Sequence, residues 1–246
     1  SVTVDGEKVI CTPGGAQGSV LAVDLKDGSK IWQSSEITDG AQYASIVTVE
    51  LGGVKQYIQM THEHVFGIVA ETGKLAWKSQ WEGRVASIPT PIVSGADVYI
   101  TSGYGVGCKL VTVNGNQVTD VYRNTVMKNH HGGVVKLGDY LYGYSDGPGW
   151  ICQNFKTGEM VWNNKTFGKG AVAFADGRLY AQSESTGEVV LLEPSPEGYK
   201  EHGKFTLTPQ STIRSQRGKI WTHPVISNGK LYIRDQDLIH CYKIAK

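Results

Sequence analysis

The sequence predicts an all-β fold, and three observations lead to this prediction. Glycine is abundant, with 31 residues among 246, whereas there are only eight prolines and three methionines. This composition suits many tight turns and few long helices. A hairpin pattern of two short apolar strands around a glycine turn recurs along the chain, and a second hairpin pattern follows each copy. The paired hairpins predict a repeat fold of four-stranded sheets.

The first hairpin of each repeat has an apolar pair, a glycine turn and an apolar or aromatic strand. Its copies are, in chain order, VTVDGEKVIC, VTVELGGVKQYIQ, PIVSGADVYIT, GVVKLGDYLYGY, VAFADGRLYAQ and PVISNGKLYIR. Their turn glycines are Gly6, Gly53, Gly95, Gly138, Gly177 and Gly229. Asp-Gly and Asn-Gly dipeptides tolerate the positive φ angles of tight hairpins. Successive copies lie about 40 to 50 residues apart, which is the period of a propeller blade.

The second hairpin completes each repeat. Its copies are VLAVDLKDGSKIW, VFGIVAETGKLAW, CKLVTVNGNQVTDVY, WICQNFKTGEMVW, VVLLEPSPEGYKEHGKF and the shortened LIHCYKI. We expect Trp32, Trp77 and Trp162, which follow the turn glycines of this hairpin, to pack between neighbouring sheets. Solenoid repeats are shorter, and sandwiches do not repeat such a hairpin. We therefore predict a β-propeller of four-stranded blades, one domain over residues 1–246, with six blade repeats of which the last is incomplete.

Charge and apolar patterning argue against several classes of protein. Lysine and arginine total 24 against 23 acidic residues, without a basic block, so nucleic acid is not an expected partner. No apolar run approaches the roughly 20 residues of a membrane-spanning helix, so no membrane span is predicted. The cysteines are far apart in apolar strand contexts, and we expect buried free thiols rather than disulfides or zinc ligands. They are Cys11, Cys108, Cys152 and Cys241.

Candidate functional residues are concentrated in two classes of loop. The inner loop precedes the innermost strand of a blade, and the middle loop joins its second and third strands. Both emerge at one end of a blade near the propeller axis, where repeat β-folds usually carry function. The inner-loop candidates are Arg84, His130, His131, Arg217 and Trp221. The middle-loop candidates are His62, His64, Asp146, Trp150 and Asp235.

The histidines admit two interpretations. His62 and His64 share a side of an extended chain, whereas the adjacent His130 and His131 point to opposite sides. With a loop carboxylate, these histidines could bind zinc or iron. Alternatively they hydrogen-bond neighbouring loops, while the two glycines after His131 let the backbone turn tightly. We favour the second interpretation.

Several segments carry a resemblance to a known family. AETGKLAW and FKTGEMVW resemble the blade motif of quinoprotein-like β-propellers. NHHGGVVKLGDYLYGYSDGPGWICQNFKTGEMVW and KIWTHPVISNGKLYIRDQDLIHCYKI look like a bacterial group of exported proteins with pyrroloquinoline-quinone (PQQ)-like repeats. The resemblance covers the whole chain and implies a periplasmic or extracellular location. It also implies an eight-bladed ring when complete, so we expect this chain to be the six-blade, carboxy-terminal portion of a longer protein.

The resemblance implies two possible functions. Quinone-dependent dehydrogenases of this superfamily hold PQQ between a tryptophan and a disulfide of neighbouring cysteines, beside calcium and an aspartate base. Here Trp150 or Trp221 would stack on the cofactor and Asp146 or Asp235 would be the base, but no adjacent cysteine pair exists. Arginines of the inner loops could instead bind an anionic ligand or partner. These arginines are Arg84, Arg214 and Arg217.

We therefore predict a non-catalytic propeller without a cofactor, which presents its loops to a protein partner or a small polar ligand. A quinoprotein-type oxidoreductase with PQQ and calcium is the alternative. The missing cysteine pair favours the first function, whereas the polar and aromatic loop residues keep the second open.

Overall fold

The computed structural model describes residues 2–245, which form strands joined by turns and loops, without a helix in that range. Accordingly, no helix of this range is long and apolar enough to cross a membrane. The strands form six antiparallel sheets, five of four strands and a last one of three, as the repeat pattern predicts. The chain divides between Lys128 and Asn129 into two compact units, described in turn. The single domain over residues 1–246 stays a prediction.

Unit one contains blades 1, 2 and 3, each a meander of consecutive antiparallel strands. Blade 1 comprises β1 (Thr3–Asp5), β2 (Lys8–Cys11), β3 (Leu21–Asp24) and β4 (Lys30–Gln33). Blade 2 comprises β5 (Val47–Leu51), β6 (Val54–Met60), β7 (His64–Val69) and β8 (Leu75–Gln80). Blade 3 comprises β9 (Ile92–Ser94), β10 (Asp97–Ser102), β11 (Gly107–Asn114) and β12 (Gln117–Asn124).

Unit two contains blades 4, 5 and 6. Blade 4 comprises β13 (Val134–Leu137), β14 (Tyr140–Ser145), β15 (Gly149–Asn154) and β16 (Met160–Asn164). Blade 5 comprises β17 (Gly170–Ala175), β18 (Arg178–Ser183), β19 (Glu188–Glu193) and β20 (Lys200–Thr206). Blade 6 comprises β21 (Val225–Ser227), β22 (Lys230–Asp235) and β23 (Leu238–Lys243). Strand β17 contacts both β13 and β21, so the first strand of blade 5 lies against the first strands of blades 4 and 6.

Tight turns close the first hairpins where the sequence predicts them. Asp176 and Gly177 have φ angles of 49° and 70°, and Asn228 and Gly229 have φ angles of 50° and 69°. Two consecutive residues in the left-handed region form a type I′ turn, whose twist matches that of the flanking strands. The Asp-Gly and Asn-Gly dipeptides therefore determine the register of these hairpins.

A shift in strand register distinguishes the outer edge of each four-stranded blade. The shift occurs in the pairing of the third and fourth strands, between Ala22 and Val23, Gly67 and Ile68, Leu110 and Val111, Cys152 and Gln153, and Leu191 and Leu192. An extra residue at such a point bends the strand and increases its twist. The hydrophobic pattern did not predict this feature, because one inserted residue hardly alters the alternation of apolar positions.

The repeated tryptophans pack between blades, which confirms their predicted role. Trp32 of blade 1 lies 6.0 Å from the ring of Tyr57 in blade 2, measured between ring centroids. Trp77 of blade 2 is buried in a cluster with Val98 and Val111 of blade 3. The indole of Trp162 in blade 4 donates a hydrogen bond of 2.8 Å to a backbone carbonyl of blade 5. These side chains fill the space between adjacent sheets.

All four cysteines are free thiols, but they are not all buried as predicted. Cys108 and Cys152 are buried, and burial raises the pKa of the Cys152 thiol to about 11. Cys11 is only partly buried, and Cys241 is exposed. The prediction is wrong for Cys241 because β23 is the last strand of a three-stranded sheet and exposes alternate side chains.

Replacement of Trp77 by alanine should lower the free energy of unfolding by about 3 to 5 kcal/mol. The indole is 3% exposed, and its Nε1 donates a 2.8 Å hydrogen bond to Gln56 Oε1. The substitution would remove this donor and leave the buried Gln56 oxygen without it. Chemical denaturation of the wild-type and variant proteins measures the change. Trp221→Ala is the matched control, because this tryptophan is 58% exposed and should contribute less than about 1 kcal/mol. Equal losses in the two variants would contradict the interpretation of Trp77 as a packing residue.

Candidate functional site

Inner and middle loops contact each other within individual blades. In blade 2, inner-loop Asp39 accepts a hydrogen bond of 2.6 Å from Thr61 at the start of the middle loop. In blade 5, the backbone N–H of Glu184 donates to the carbonyl of Lys169 over 2.8 Å. The two loop classes therefore emerge at the same end of these blades, as the topology predicts. We call this end of a blade its loop end.

The loop end of blade 2 places the first pair of candidate histidines in different surroundings. His64 Nδ1 lies 2.9 Å from Asp39 Oδ2, the oxygen that also accepts the Thr61 hydrogen bond. The backbone carbonyl of His62 accepts a hydrogen bond of 2.8 Å from Gly83 N–H, and the His62 ring packs against this glycine. The buried Nε2 of His62 has no hydrogen-bond partner among the described residues. His64 thus connects two loops, whereas His62 packs against a third.

Unit two brings five polar side chains of blades 4 and 5 together. His131 Nε2 lies 2.6 Å from Glu184 Oε2, and both side chains are largely buried. The ammonium group of Lys169 donates to Asp146 Oδ1 over 2.7 Å and to His130 Nδ1 over 2.9 Å. The rings of His130 and His131 are 5.1 Å apart. We call these five residues the histidine cluster; they are His130, His131, Asp146, Lys169 and Glu184.

Neighbouring charges and burial alter the pKa values of two groups in the histidine cluster, Glu184 and His130. Burial opposes ionisation of Glu184, but the hydrogen bond from His131 and the nearby Lys169 ammonium outweigh it and lower the pKa of the carboxyl group. Burial and the positive charge of Lys169 lower the pKa of His130. A neutral His130 is consistent with its role as the acceptor of the Lys169 hydrogen bond. Glu184 and Lys169 therefore carry opposite charges. Glu184 is paired with His131, and Lys169 is paired with Asp146.

The two glycines after His131 permit close approach of neighbouring backbones. A Cβ atom on Gly132 would lie 1.9 Å from the carbonyl oxygen of Gly170, so a larger residue would displace β17. Gly133 has a φ angle of 78° and lies beside His223, whose Nε2 donates a 2.6 Å hydrogen bond to the carbonyl of His131. The His-His-Gly-Gly segment thus connects the inner loops of blades 4 and 6 with blade 5. These contacts agree with the favoured structural interpretation of the histidines.

Three of the four residues suggested as metal ligands, His64, His130 and His131, contact polar protein groups, whereas the buried Nε2 of His62 has no such partner among the described residues. Within residues 2–245, no group of three or more His, Cys, Asp or Glu side chains has an arrangement suited to a metal ion. Metal binding by His62, His64, His130 and His131 stays a prediction.

Asp235, a candidate base, forms an ion pair in blade 6. Its carboxylate is fully buried and accepts hydrogen bonds from the guanidinium group of Arg214, with 3.1 Å between Arg214 Nε and Asp235 Oδ1. Ser211 N–H donates to the same carboxylate over 3.0 Å. Burial opposes ionisation, but these donors outweigh it and lower the pKa of Asp235. The carboxylate fastens the inner loop of blade 6 to the end of β22.

The two candidate stacking tryptophans differ in exposure. Trp150 is 2% exposed, stacks on Phe167 with ring centroids 5.6 Å apart, and donates to a backbone carbonyl over 3.0 Å. Trp221 is 58% exposed, and its ring centroid lies 6.1 Å from that of His131. Of the three candidate arginines, Arg84 and Arg217 are exposed, in unit one and unit two respectively, whereas Arg214 pairs with Asp235. Of the two tryptophans, therefore, only Trp221 has a ring that a ligand could reach.

Sequence reasoning missed Lys169, which links Asp146 to His130. Lys169 stands in the inner loop of blade 5, within FGKGAVAF. Its position immediately before an innermost strand matches that of the histidines in blade 4, so the repeat alignment contained the signal. A single lysine in a surface loop belongs to no recognisable sequence motif, so the sequence alone gives it no predicted role.

The fold is that of a β-propeller built from blades of consecutive antiparallel strands, with polar groups that pair with one another at the loop ends. A family model described as "Outer membrane protein assembly factor BamB" matches residues 1–164, which is more than half of the chain. The chain therefore belongs to this BamB family of PQQ-repeat propellers. No match was found among curated protein sequences.

Solved structures support the same fold. BamB from Moraxella catarrhalis is 17% identical, with a TM-score of 0.67 over 98% of this chain and 70% of that chain. The β-propeller domain of Cps50 (Swd1) from Myceliophteria thermophila is 12% identical, with a TM-score of 0.61 over 99% of this chain and 82% of that one. The computationally designed Ika8 protein is 10% identical, with a TM-score of 0.54 over 99% and 83%. At these identities the likeness concerns the fold alone.

Replacement of Asp235 by asparagine should lower the free energy of unfolding by about 3 kcal/mol at pH 7, because Arg214 would keep a largely buried charge without its counter-ion. The folded-state pKa of Asp235 lies below its ordinary value of 3.8. The contribution of the carboxylate is therefore fully present above that value and is lost as the pH falls through the folded-state pKa. The stability difference between wild type and variant should shrink below about pH 4.

Denaturant unfolding at several pH values from 7 down to 3 measures this difference. Asp237→Asn is the matched control, because this exposed carboxylate lies two residues away and accepts a hydrogen bond from Ser211. It should cost less than about 1 kcal/mol at pH 7. A stability difference for Asp235→Asn that stays constant on acidification would refute the ion-pair account.

Proposed function

We propose that this protein is a non-catalytic β-propeller of the bacterial envelope, periplasmic or extracellular, whose loop ends bind a protein partner or a small polar ligand. Membership of a family described as an outer membrane protein assembly factor supports a protein as the partner and the envelope as the location. Exposed apolar side chains at the loop end of unit one support the same proposal. Tyr43 and Val85 are 70% and 71% exposed, and Tyr43 N–H donates to the carbonyl of Ser87 in the loop that carries Val85.

One observation carries the proposal that the protein is not an enzyme. The candidate acids and bases at the loop ends are each compensated by a protein group, as in the pairs of Asp235 with Arg214 and Asp146 with Lys169. A catalytic group needs a pKa suited to proton transfer and access to a substrate. Asp235 instead has a lowered pKa and no exposed surface. Paired groups of this kind favour a structural role over acid–base chemistry.

The alternative, a quinoprotein oxidoreductase, does not fit the residues present. The superfamily holds PQQ between a tryptophan and a disulfide of adjacent cysteines, but the chain has no adjacent cysteines, and Cys108 and Cys152 are free and in different units. Trp150 already stacks on Phe167 and is buried. Trp221 offers an open ring, but the candidate base of the same blade, Asp235, is fully buried and paired with Arg214.

Thermal unfolding with and without PQQ plus calcium should give midpoints that agree within about 1 °C. A ligand at about 100 times its dissociation constant would stabilise the folded state by roughly 2.7 kcal/mol, or some 5 to 10 °C at this chain length. Calcium alone is the control, because it separates an effect of the ion from one of the quinone. A shift of the larger size with both components would show that the protein binds the cofactor and would favour the oxidoreductase alternative.

Site-specific photo-crosslinking in the cells that produce the protein should identify a partner at the loop end. A photoreactive phenylalanine at Tyr43 or at Val85 should give adducts of discrete mass with the full-length protein, because these positions are exposed at the loop end. The same group at Leu25, 52% exposed in the turn after β3, is the matched control at the opposite end of a blade. Adducts at Leu25 alone, or at neither end, would overturn the binding proposal.

A further inference from the structure

Blade 6 has a small cleft at its loop end, between its inner loop and its middle loop. The cleft has a volume of about 200 Å³ and is lined by Lys219, Ile220, Trp221, Thr222, Arg234 and Gln236. Pockets that bury drug-sized molecules or cofactors usually measure about 300 to 1,000 Å³. The cleft is therefore suited to one side chain of a larger partner rather than to a whole cofactor.

Hydrogen bonds between the two loops hold the cleft in shape. Thr222 Oγ1 donates to the carbonyl of Arg234 over 2.8 Å, and Gln236 Nε2 donates to the carbonyl of Lys219 over 3.3 Å. Gln236 has a φ angle of 56°, a left-handed conformation that few non-glycine residues adopt. Beneath these residues the buried pair of Arg214 and Asp235 joins the same loops. A cleft formed in advance loses little conformational entropy on binding.

The lining of the cleft carries positive charge and no carboxylate. The ammonium group of Lys219 donates to the hydroxyl of Ser185 over 3.0 Å, and Arg234 Nε donates to a backbone carbonyl over 2.9 Å. Neither cation forms an ion pair with a carboxylate in the part of the chain that the structure describes. Arg217, two residues before Lys219, is also exposed without such a pair in that part. The adjacent Asp235 is already neutralised by Arg214.

An accessible apolar surface adjoins these charges. Trp221 is 58% exposed on the wall of the cleft, and Ile213 of the same loop is 67% exposed. Tryptophan and arginine are enriched among the residues that contribute most to protein–protein binding. An exposed indole in a cleft that two cations also line provides apolar contact area and favours a partner with negative charge.

We propose that this cleft, which we call the Trp221 cleft, binds an acidic segment of a protein partner, with an apolar or aromatic side chain packed against Trp221 and carboxylates paired with Lys219 and Arg234. The proposal rests on the proposed protein-binding function and specifies the chemistry of one contact. Charge complementarity selects the occupant, because the lining offers two cations and no acid.

Fluorescence anisotropy with labelled peptides tests the proposal on the full chain. The probe is a capped Asp-Glu-Phe-Asp-Glu peptide, compared with its Asn-Gln-Phe-Asn-Gln and Asp-Glu-Ala-Asp-Glu counterparts. The acidic aromatic peptide should bind at least tenfold more tightly than either counterpart. The affinity of this peptide should fall several-fold between about 50 and about 300 mM salt, because salt screens the attraction between exposed charges.

Substitutions in the protein locate the peptide. Trp221→Ala and Arg234→Gln should each weaken binding about tenfold. Leu25→Ala and Lys26→Gln are matched controls, because they remove an exposed apolar side chain and an exposed cation in the turn after β3, at the opposite end of blade 1, and they should leave the affinity unchanged. Denaturant midpoints equal to wild type establish that the variants are folded. Absence of binding up to millimolar peptide, or equal effects of controls and cleft variants, would overturn the proposal.

Collisional quenching provides an independent readout that requires no partner. The difference in emission between wild type and Trp221→Phe isolates the Trp221 signal. The ratio of iodide to caesium quenching should exceed the ratio for free N-acetyltryptophanamide, which corrects for the different efficiencies of the two ions, because the neighbouring cations attract anions. A ratio equal to or below that of the free compound would contradict the positive potential on which the proposal depends.

Two further results separate this inference from the proposed function. Crosslinked adducts at Tyr43 or Val85 that persist in Trp221→Ala, together with no peptide binding, would leave the binding function intact and refute the Trp221 cleft. Binding of the protein to vesicles of anionic lipid, lost in Trp221→Ala, without binding of the acidic peptide, would likewise refute a protein occupant.

Discussion

Packing of one blade against the next is the constraint on which the rest of this structure depends. A sheet of three or four short strands cannot bury enough apolar surface alone, so both its faces have to be covered by neighbours. Large side chains from the outer strands supply much of that cover, as Trp77 does against Val111 of the following blade. Its indole nitrogen still finds an acceptor in Gln56, so the large ring is buried without an unpaired polar atom. Each such contact fixes the position of a blade and hence the height at which its loops emerge.

Once the blades are fixed, the loop ends can carry polar groups at little cost to the fold. Inner and middle loops lie side by side, and their charges compensate one another over short distances, as between His131 and Glu184. The polar groups of the histidine cluster therefore stabilise the loops that hold them. The backbone contributes as well, because Gly132 lets the inner loop approach β17 more closely than any other residue would. Polar residues that resemble an active site in the sequence are in this way explained by loop packing.

The sequence predicted the blades better than it predicted the loop contacts, for a physical reason. Hairpins depend on local signals such as the Asp176-Gly177 turn, and the repeated tryptophans Trp32, Trp77 and Trp162 indicate the packing of blades 1, 2 and 4. Contacts at the loop ends join residues far apart in the chain, such as His131 and His223, and no local pattern encodes them. The exposure of Cys241 was missed for a related cause, because strand composition does not reveal whether another strand covers its edge. Register shifts at the outer strands also left no trace in the alternation of apolar residues.

Some charged side chains at the loop ends form ion pairs within the protein, whereas Lys219 and Arg234 form none within residues 2–245, and this difference affects how easily each can bind a partner. Where Asp235 pairs with Arg214, or Asp146 with Lys169, a partner protein would have to break an existing interaction before it could form a new one. Lys219 and Arg234 hold only neutral acceptors, so a carboxylate from outside gains an ion pair without displacing one. The cost of binding is further reduced because the loops that carry both cations are already joined by hydrogen bonds. In the proposed binding mode, specificity at the Trp221 cleft therefore depends on Lys219 and Arg234, two lining cations that form no ion pair among the described residues.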